Sequence, residues 1–417
     1  MSYMQDLNQV GGSGIGDEIS RFVSAVDSLR MTIDSSMGLV QKAHDSAHTE
    51  YDAYIAKYAD TISRDGEEFV TIRSHDHCHG FHLLGRELDK FHAAQRFLPR
   101  TFLLALVSRY DALVGSLVRA LFKQKPEALR SSDRTFTFAE LSQFQSMESA
   151  REFIVEREVE TLLRKSHSEQ FDWLEKRFDI KLREGLEAWP AFVEITERRN
   201  LFAHADGVVS MQYMTKCRAE RVELGNVTQG TALFVDGPYF GRASDIICEI
   251  GVKLAQVLWR KVVPSETEDA DCSLKDAALD IVEQGRYELA KALLDFGDTT
   301  LSRRHASESW RLWFVIHRAL AYSLSGDKNK CTEILSSHDW SATEDSLKLA
   351  ESVLSERFDA SLTLMKKIGP RGDFPKGHYL HWPLFRGLRR SPMFTKTIEE
   401  IFGNDTHEEQ LPTEDRI

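Results

Sequence analysis

Residues 102–121 have the sequence FLLALVSRYDALVGSLVRAL, and they predict the central helix of the protein. Apolar side chains recur at spacings of three and four, from Phe102 through Tyr110 to Leu121. This spacing places them on one broad face of a helix. Pro99 is expected to break the chain at the start of this helix. Because so wide an apolar face is typical of a core helix, we expect other helices to pack around it.

The same helical period recurs along much of the chain. An amphipathic helix is predicted from Ile19 towards residue 60, and Asp65-Gly66 is a turn signal. Further helices are predicted at 146–165, 168–178, 189–206 and 243–262. Residues 222–241 differ, because β-branched and apolar residues alternate there with glycines, which predicts a small β-hairpin. The expected fold class is therefore all-α with a β-hairpin insertion.

At 417 residues the chain is expected to form more than one domain. Residues 264–272 begin with proline and are polar and acidic, so they are predicted to be a linker. The full set of predicted segments is a disordered start at 1–16, a helical N-terminal extension at 17–95, a helical bundle at 96–263, the linker at 264–272, a second helical domain at 273–403 and a disordered tail at 404–417.

The second helical domain is predicted to consist of paired short helices. The pairs are 274–283 with 287–295, 306–325 with 328–337, and 343–355 with 358–368. The small and aromatic positions in 287–294 and 319–326 resemble those of tetratricopeptide repeats, with a loose period of roughly thirty to forty residues. This resemblance implies α-helical hairpin repeats that present a concave surface to a peptide or protein.

Composition argues against several classes of protein. The net charge is −12, which is unlike a protein that binds nucleic acid over its whole surface. The five cysteines are scattered and form no CxxC pair, so we expect reduced thiols and a cytoplasmic location. The chain shows no secretory signal and no run of about eighteen apolar residues, so no membrane partner is expected.

The predicted helix at 189–206 carries the candidate chemistry. Arg199 falls in line with the apolar residues Phe192 and Ile195, so its guanidinium is expected to need an acidic or phosphate partner. Asn200 and His204 are four residues apart and share the neighbouring face. On a straight helix Arg199 and His204 lie about 140° apart. They can meet one substrate if the helix end bends or a second subunit completes the site.

A purely structural interpretation of the same residues is also open. Asp206-Gly207 is typical of a helix C-terminus, where a histidine in the last turn interacts well with the helix dipole. Arg198 and Arg199 could pair with Glu194 or Asp245.

The strip Arg199-Asn-Leu-Phe-Ala-His204 resembles the R-x4-6-H motif of the HEPN ribonuclease superfamily, and it lies near the end of a helix as those motifs do. Residues 108–119 and 203–210 also resemble HEPN proteins of bacterial toxin and anti-phage defence systems. The resemblance covers about residues 95–263. It implies a HEPN-type helical bundle and a homodimer formed through this domain.

The resemblance further implies a metal-independent endoribonuclease without a cofactor. His204 would act as general base or acid at the ribose 2′-OH, because imidazole titrates near neutral pH. Arg199 would hold the scissile phosphate and stabilise its developing charge, and Asn200 would position the 2′-OH or the phosphate. The substrate would be RNA, because the nucleophile is the 2′-OH.

The sequence departs from the HEPN pattern at one position, and an alternative function is also open. Some HEPN toxins carry R-x4-H-x-Y, whereas this chain has Asp206 at the tyrosine position, which puts control by modification of that tyrosine in doubt. Loss of catalysis is common in the superfamily, so a catalytically silent scaffold with binding repeats is the alternative function. In either case the C-terminal repeats could dock a protein trigger or an antitoxin.

A stretch rich in histidine offers the candidates for a metal site. His75, His77, His79 and His82 lie close together in sequence with ligand-like spacing, which would suit zinc or nickel. The sequence supplies no second cluster of ligands, and a polar turn before the helix explains the stretch equally. We therefore expect no bound metal.

Overall fold

The computed structural model describes residues 12–64, 67–131 and 137–403. It is mostly helical, which confirms the all-α class. The chain divides into two compact units, Ser13–Ala255 and the residues from Gln256 onwards, referred to here as the N-terminal and C-terminal units.

Three predicted segments lie wholly or partly outside the described residues. These are the tail at 404–417, the turn at Asp65-Gly66 and the first eleven residues of the start at 1–16. The described part of that start is already structured at its end, because the first helix begins at Ile15.

The N-terminal unit is built on two long helices and several shorter ones. Its elements are α1 (Ile15–Tyr58), β1 (Ala59–Arg64), β2 (Glu67–Ile72), α2 (Cys78–Gln124), α3 (Phe138–Leu141), α4 (Met147–Leu163), α5 (His167–Phe178), α6 (Trp189–His204), α7 (Met211–Ala219) and α8 (Gly237–Val262), the last of which continues beyond Ala255.

The core of this unit surrounds α2, as its apolar face predicts. Leu103, Leu106, Val107 and Tyr110 are fully buried. Gly251 on α8 permits close packing, because a Cβ atom there would lie 2.5 Å from Cε1 of Phe22 on α1. Helix α2, which the sequence predicts to be the central helix, is therefore central to the N-terminal unit.

The predicted N-terminal extension at 17–95 is not a separate segment. The first turns of α1 enter the core of the unit, where Ile15, Ile19, Phe22 and Val26 are buried. The rest of α1 pairs antiparallel with the start of α2 in an arm, whose residues at 34–58 and 78–98 all keep some exposure to solvent. The apolar spacing predicted the helix but could not show which of its turns join the core.

Pro99 does not break the chain, and this prediction was wrong. It lies inside α2, which is continuous from Cys78 to Gln124. Proline lacks the N–H that would bond to the carbonyl four residues earlier. The residues before it pack along α1, as Phe81 does against Tyr51, and this packing keeps them helical.

The β-hairpin lies at 59–72 instead of 222–241. Strands β1 and β2 pair antiparallel, with Ala59 opposite Ile72 and Arg64 opposite Glu67. The signal was available, since Asp65-Gly66 between residues of high β-propensity is a strong hairpin signal.

At 222–241 the structure shows turns and one isolated bridge, Val208–Ala232. The backbone N–H of Leu233 donates to the Gly207 carbonyl, and that of Val209 donates to the Thr231 carbonyl. The alternating residues therefore pair with the segment that follows α6, because that pairing buries Leu233 and Val209 together.

The C-terminal unit contains the predicted helical hairpins. Its helices are α9 (Thr267–Glu283), α10 (Tyr287–Asp295), α11 (Glu308–Leu324), α12 (Lys328–Ser336), α13 (Asp345–Leu354), α14 (Phe358–Ile368), α15 (Lys376–His381) and α16 (Phe394–Phe402). In each of the pairs α9–α10, α11–α12 and α13–α14 the two helices pack on each other.

The three hairpins share one turn. In each, a left-handed residue (Gly285, Gly326 or Glu356) follows the first helix. The residue after it donates its N–H to a carbonyl in the last turn of that helix, as Asp327 does to Tyr322. The three hairpins therefore share a turn geometry that is common at helix ends, and their assignment as tetratricopeptide-like repeats stays a prediction.

The linker predicted at 264–272 is helical. A 3-10 turn at Pro264–Glu266 leads directly into α9, and the chain divides earlier, within α8. The acidic residues Glu268 and Asp269 suit the first turn of a helix.

Asp271, which lies within the predicted linker, is fully buried. Its carboxylate accepts hydrogen bonds from Arg260, from His305 at 2.7 Å and from the backbone N–H of Ala306. Burial alone would raise the pKa of Asp271, but these hydrogen bonds and the charge of Arg260 outweigh it and lower the pKa. An acidic segment can therefore lie in the protein core when its buried charge has an ion-pair partner.

Among the described residues, one helix, His75–Gln124, is long and apolar enough to cross a membrane, judged by length and composition only. Half of its most apolar window is buried within the protein, and the core helix of a soluble protein passes the same test. The cytoplasmic location stays a prediction.

Candidate active site

Helix α6 carries the three residues predicted to act in catalysis. It begins at Trp189, with Pro190 in the first turn, where a missing N–H costs nothing. Phe192, Val193 and Ile195 are buried and fix the inner face of the helix.

The guanidinium of Arg199 has the acidic partner that its alignment with the apolar stripe requires. Nη2 donates to Oδ2 of Asp111 on α2 at 3.1 Å, and both side chains are partly buried. Nε of Arg199 is buried and has no partner among the described residues. Helix α2 thus holds the guanidinium at Nη2, and other N–H groups of Arg199 remain to bind a ligand.

Asp111 also binds a second side chain of the site. Its other oxygen, Oδ1, lies 3.1 Å from Nε2 of His167, the first residue of α5. His167 is buried, and its ring packs edge-on against Phe192 of α6. A single carboxylate therefore links α2, α5 and α6 at one point.

Arg199, Asn200 and His204 border one cleft of about 570 Å³. Asn200 is partly buried and His204 is exposed. On the helical wheel Asn200 lies between the other two, so a cleft over the face of Asn200 reaches both. One chain thus brings the three predicted residues to the same cleft without a second subunit.

The remaining residues of the cleft come from α2, the end of α4, α5, α6, α7 and the segments between them. The lining also includes Asp111, Leu163, Arg164, Lys165, Ser166, His167, Glu169, Glu197, Leu201, Ala205, Ser210, Gln212, Tyr213 and Lys216.

The charges of the cleft are mixed. Lys216 donates to Glu197 at 2.9 Å. Arg164 and Lys165 are exposed and have no ion-pair partner in the described part of the chain. Cations free to meet an anion therefore lie at the entrance, while those deeper in the cleft are paired.

The end of α6 is held by a second ion pair from α2. The helix ends at His204, and Asp206 and Gly207 follow in the left-handed conformation at φ 48° and 81°. Arg100 donates to the Asp206 carboxylate at 2.6 Å, and its guanidinium lies over the ring of Phe202. The predicted Gly207 cap is present, and Asp206 is a structural partner of α2.

Two ion pairs of opposite polarity thus join α2 to α6. Arg100 and Asp111 are eleven residues apart, which places them on one face of α2 three turns apart. Arg100 holds the residues after His204, and Asp111 holds Arg199. Helix α2 therefore fixes both ends of the motif.

The opposite side of α6 is anchored through Glu194. Its carboxylate accepts hydrogen bonds from Arg198 at 2.6 Å and from the hydroxyls of Tyr213 and Tyr239, each at 2.8 Å. Burial and the charge of Glu194 raise the pKa of Tyr213, so its hydroxyl stays a donor. The suggested Arg198–Glu194 pair is present.

The other suggested partner, Asp245, binds Arg30 on α1 instead of an arginine of α6. Arg199 is consequently the arginine of the motif that faces the cleft, and Arg198 is structural.

The histidine-rich stretch does not converge on a metal site. Tyr58 stacks on His77 at 3.9 Å between ring centroids, and the backbone carbonyl of His77 accepts from Tyr54. Within residues 12–64, 67–131 and 137–403, no three histidine, cysteine or acidic side chains are grouped as metal ligands. The geometry gives His75, His77, His79 and His82 no support as ligands.

The sequence did not reveal two polar residues of the cleft floor. Asp111 lies inside the stretch that predicts the core helix, where a carboxylate between apolar neighbours needs a partner. His167 is the first residue of α5 and follows the N-cap residue Ser166. No neighbouring residue in the sequence indicates a functional role for it. Asp111 could have been suspected as the partner that Arg199 requires, whereas His167 could not.

Comparison of the chain with models of protein families, with curated proteins and with solved structures found no match. Function is therefore inferred from the residues and geometry of the cleft.

Proposed function

We propose that the chain is an endoribonuclease that cleaves RNA by attack of the 2′-OH on the adjacent phosphate. The observation that carries this proposal is that Arg199, Asn200 and His204 border one cleft. A positive group for phosphate, an amide for positioning and an imidazole for proton transfer are the groups that such a reaction uses.

The proposed reaction needs no metal. His204 removes the proton of the 2′-OH, whose oxygen then bonds to phosphorus as the bond to the 5′-oxygen breaks. Arg199 stabilises the negative charge that develops on the phosphate oxygens. The products are a 2′,3′-cyclic phosphate and a chain that begins with a 5′-OH.

The Arg199–Asp111 pair is compatible with this role. A guanidinium has five N–H donors, and Asp111 engages one nitrogen, Nη2. The pair holds the side chain in place before substrate binds, which reduces the ordering cost on binding. Arg164 and Lys165 at the entrance supply charge for neighbouring phosphates of the strand.

The biological setting we propose is a bacterial toxin or anti-phage system, on the basis of the HEPN resemblance of the motif. The helical hairpins of the C-terminal unit would dock a protein trigger or an antitoxin. The resemblance also implies a homodimer, although the three residues of one chain border the same cleft without a partner.

One observation favours a second function, a catalytically silent binding protein. Arg199 and Lys216 are already neutralised by Asp111 and Glu197, so the cleft could serve structure alone. In that case the chain would act as a scaffold through its helical hairpins and would cleave nothing.

The experiment is incubation of the purified full-length chain with mixed-sequence single-stranded RNA in excess chelator. We expect cleavage that leaves 2′,3′-cyclic phosphate ends, and a loss of about 10²-fold or more for Arg199→Ala and for His204→Ala. An all-deoxy strand of the same sequence should stay intact.

The matched control is Arg242→Ala, which removes an exposed arginine of the same unit away from the cleft. It should cleave as the unaltered chain does. Cleavage that persists in Arg199→Ala and His204→Ala, or that requires added metal, would contradict the proposal. Absence of cleavage by the unaltered chain would favour the scaffold.

A further inference from the structure

Cleavage by 2′-OH attack requires two proton transfers. One group removes the proton of the 2′-OH, and another must protonate the departing 5′-oxygen. The motif strip contains one histidine, His204, which can serve one of these steps in a given chain. The second group must come from elsewhere in the cleft.

We propose that His167 is this second group, the general acid for the 5′-oxygen. The inference rests on the proposed function. His167 borders the same cleft as His204, although the two lie on different helices, α5 and α6. It is held by Asp111, the residue that also holds Arg199.

The position of the ring is set on several sides. Nε2 is 3.1 Å from Oδ1 of Asp111, and the ring packs 5.6 Å from Phe192 and 5.8 Å from Tyr110, measured between ring centroids. Proton transfer by a side chain is efficient when its orientation is fixed before substrate binds. His167 has this preorganisation through its contacts with Asp111, Phe192 and Tyr110.

The shared carboxylate ties the acid to the phosphate clamp. Oδ2 of Asp111 accepts from Arg199 and Oδ1 accepts from His167. A phosphate bound by Arg199 therefore has a fixed placement relative to the imidazole. A carboxylate that orients a catalytic histidine and stabilises its charged form is a recurrent arrangement in hydrolases.

The ring has a nitrogen left for chemistry. An ionised carboxylate can accept but not donate, so Nε2 of His167 carries a hydrogen in this contact. Nδ1 has no hydrogen-bond partner among the residues that the structure describes. When the ring is protonated, Nδ1–H is the donor for the leaving oxygen.

The other titratable groups of the cleft fit the task less well. Glu169 binds the backbone N–H and hydroxyl of Ser166, and these hydrogen bonds lower its pKa, so it carries no proton near neutral pH. Lys216 is paired with Glu197. The hydroxyl of Tyr213 donates to Glu194, away from the cleft.

The complete step balances within the chain. The 2′-oxygen forms its bond to phosphorus as His204 accepts the hydroxyl proton. The bond from phosphorus to the 5′-oxygen breaks as Nδ1 of His167 gives that oxygen a proton. Water returns both histidines to their starting forms, and nothing is oxidised or reduced.

The test compares two RNA substrates on the full-length chain. One is a short RNA with a single linkage that the unaltered chain cleaves. The other has sulfur in place of the 5′-bridging oxygen at that linkage. A thiolate leaves without protonation, so general-acid catalysis is no longer needed. The variant is His167→Gln, whose amide can still donate to Asp111 but cannot act as an acid.

We expect His167→Gln to lose about 10²-fold or more on the oxygen substrate and to recover most of this loss on the sulfur substrate. His204→Ala should be slow on both substrates, because its proton transfer is still required. His48→Ala, an exposed histidine on the arm, should match the unaltered chain on both.

Three outcomes would overturn the assignment of His167. In the first, His167→Gln keeps full activity on the oxygen substrate. In the second, His167→Gln loses activity and the sulfur substrate does not restore it. In the third, the sulfur substrate restores the activity of His204→Ala and not that of His167→Gln. In each case the unaltered chain still cleaves RNA, so the outcome is distinct from failure of the proposed function, in which the unaltered chain cleaves neither substrate. Circular dichroism of each variant shows whether a loss is due to unfolding.

Discussion

At the residue scale, the cleft depends on charged side chains that satisfy one another. The Asp111 carboxylate accepts hydrogen bonds from Arg199 and His167. Arg100 forms an ion pair with Asp206, just after the end of the motif. Removal of one member of a partly buried pair leaves the other charged and unpaired, which costs more than the pair contributes. Substitutions that keep shape and change only charge are therefore the informative ones.

The Arg100–Asp206 pair is expected to position His204. In Asp206→Asn the left-handed conformation is retained, because asparagine tolerates it, but the charge that anchors the turn is lost. We expect the turnover number for RNA cleavage to fall roughly tenfold to a hundredfold with little change in KM, since small misplacements of a catalytic group have effects of this size.

Asp179→Asn is the matched control for this prediction. Asp179 is also a left-handed aspartate at a helix end, at φ 50°, and it lies outside the cleft. Asparagine keeps an oxygen that can accept from the buried Arg100 but loses the charge, so Asp206→Asn should lower the melting temperature and Asp179→Asn should not; cleavage is compared well below both melting temperatures. Equal cleavage by Asp206→Asn and the unaltered chain would remove the pair from the site.

At the element scale, helix type and some helix ends followed from local pattern, whereas other helix ends depended on tertiary packing. The helices predicted at 287–295 and 358–368 have those bounds in the structure. Their apolar spacing and the turn residues before them are local signals. Helix α2 was mispredicted at Pro99, because packing of its first turns along α1 outweighs the local preference of proline.

The shared turn of the helical hairpins makes a prediction about glycine. Gly326 has φ 94°, and a Cβ atom there would meet no other atom within 4 Å. The effect of Gly326→Ala is therefore one of backbone strain alone, about 1 kcal/mol. We expect the midpoint of thermal unfolding to fall by about 2–4 °C.

Gly377 provides the comparison. It also has open space at the Cβ position, but it lies inside α15 at ordinary helical angles. Gly377→Ala should leave the chain as stable or raise its free energy of unfolding by up to about 1 kcal/mol. If both variants melt alike in scans followed by circular dichroism, the left-handed turn does not contribute as described.

At the scale of the whole molecule, a net charge of −12 predicts that the RNA binding we propose is confined to the cleft. Arg164 and Lys165 border it without an ion-pair partner among the described residues, Arg199 is the proposed phosphate clamp, and Lys216 is paired with Glu197. Single-stranded RNA loses affinity with salt at a slope of about −0.7 for each phosphate neutralised, so with three such contacts the logarithm of affinity should fall with a slope of about −2. The measurement uses labelled RNA and the His204→Ala chain, which should not cleave it.

Lys165→Ala should reduce that slope by about 0.7. Lys181→Ala, which removes an exposed lysine of the same unit outside the cleft, should leave it unchanged. A slope near zero, or an equal effect of the two variants, would place RNA elsewhere on the molecule or nowhere.

The sequence by itself determined the all-α class, the central helix at 102–121 and the paired helices of the C-terminal unit, and it supplied Arg199, Asn200 and His204 as candidate site residues. These features follow from apolar periodicity, turn residues and a short strip, all of which act within a few residues of chain. The apolar run at 231–235 shows the limit of such signals, since the run was visible in the sequence and its pairing partner was not.

Tertiary structure alone decided what surrounds the motif. Asp111 and Arg199 are 88 positions apart, and Asp111 and His167 are 56 apart. No local pattern encodes such contacts, because they arise from how α2, α5 and α6 pack. Packing within the C-terminal unit likewise buries Asp271 of a linker-like acidic stretch in an ion pair with Arg260, and the energy of that charge depends on partners brought together only by the fold.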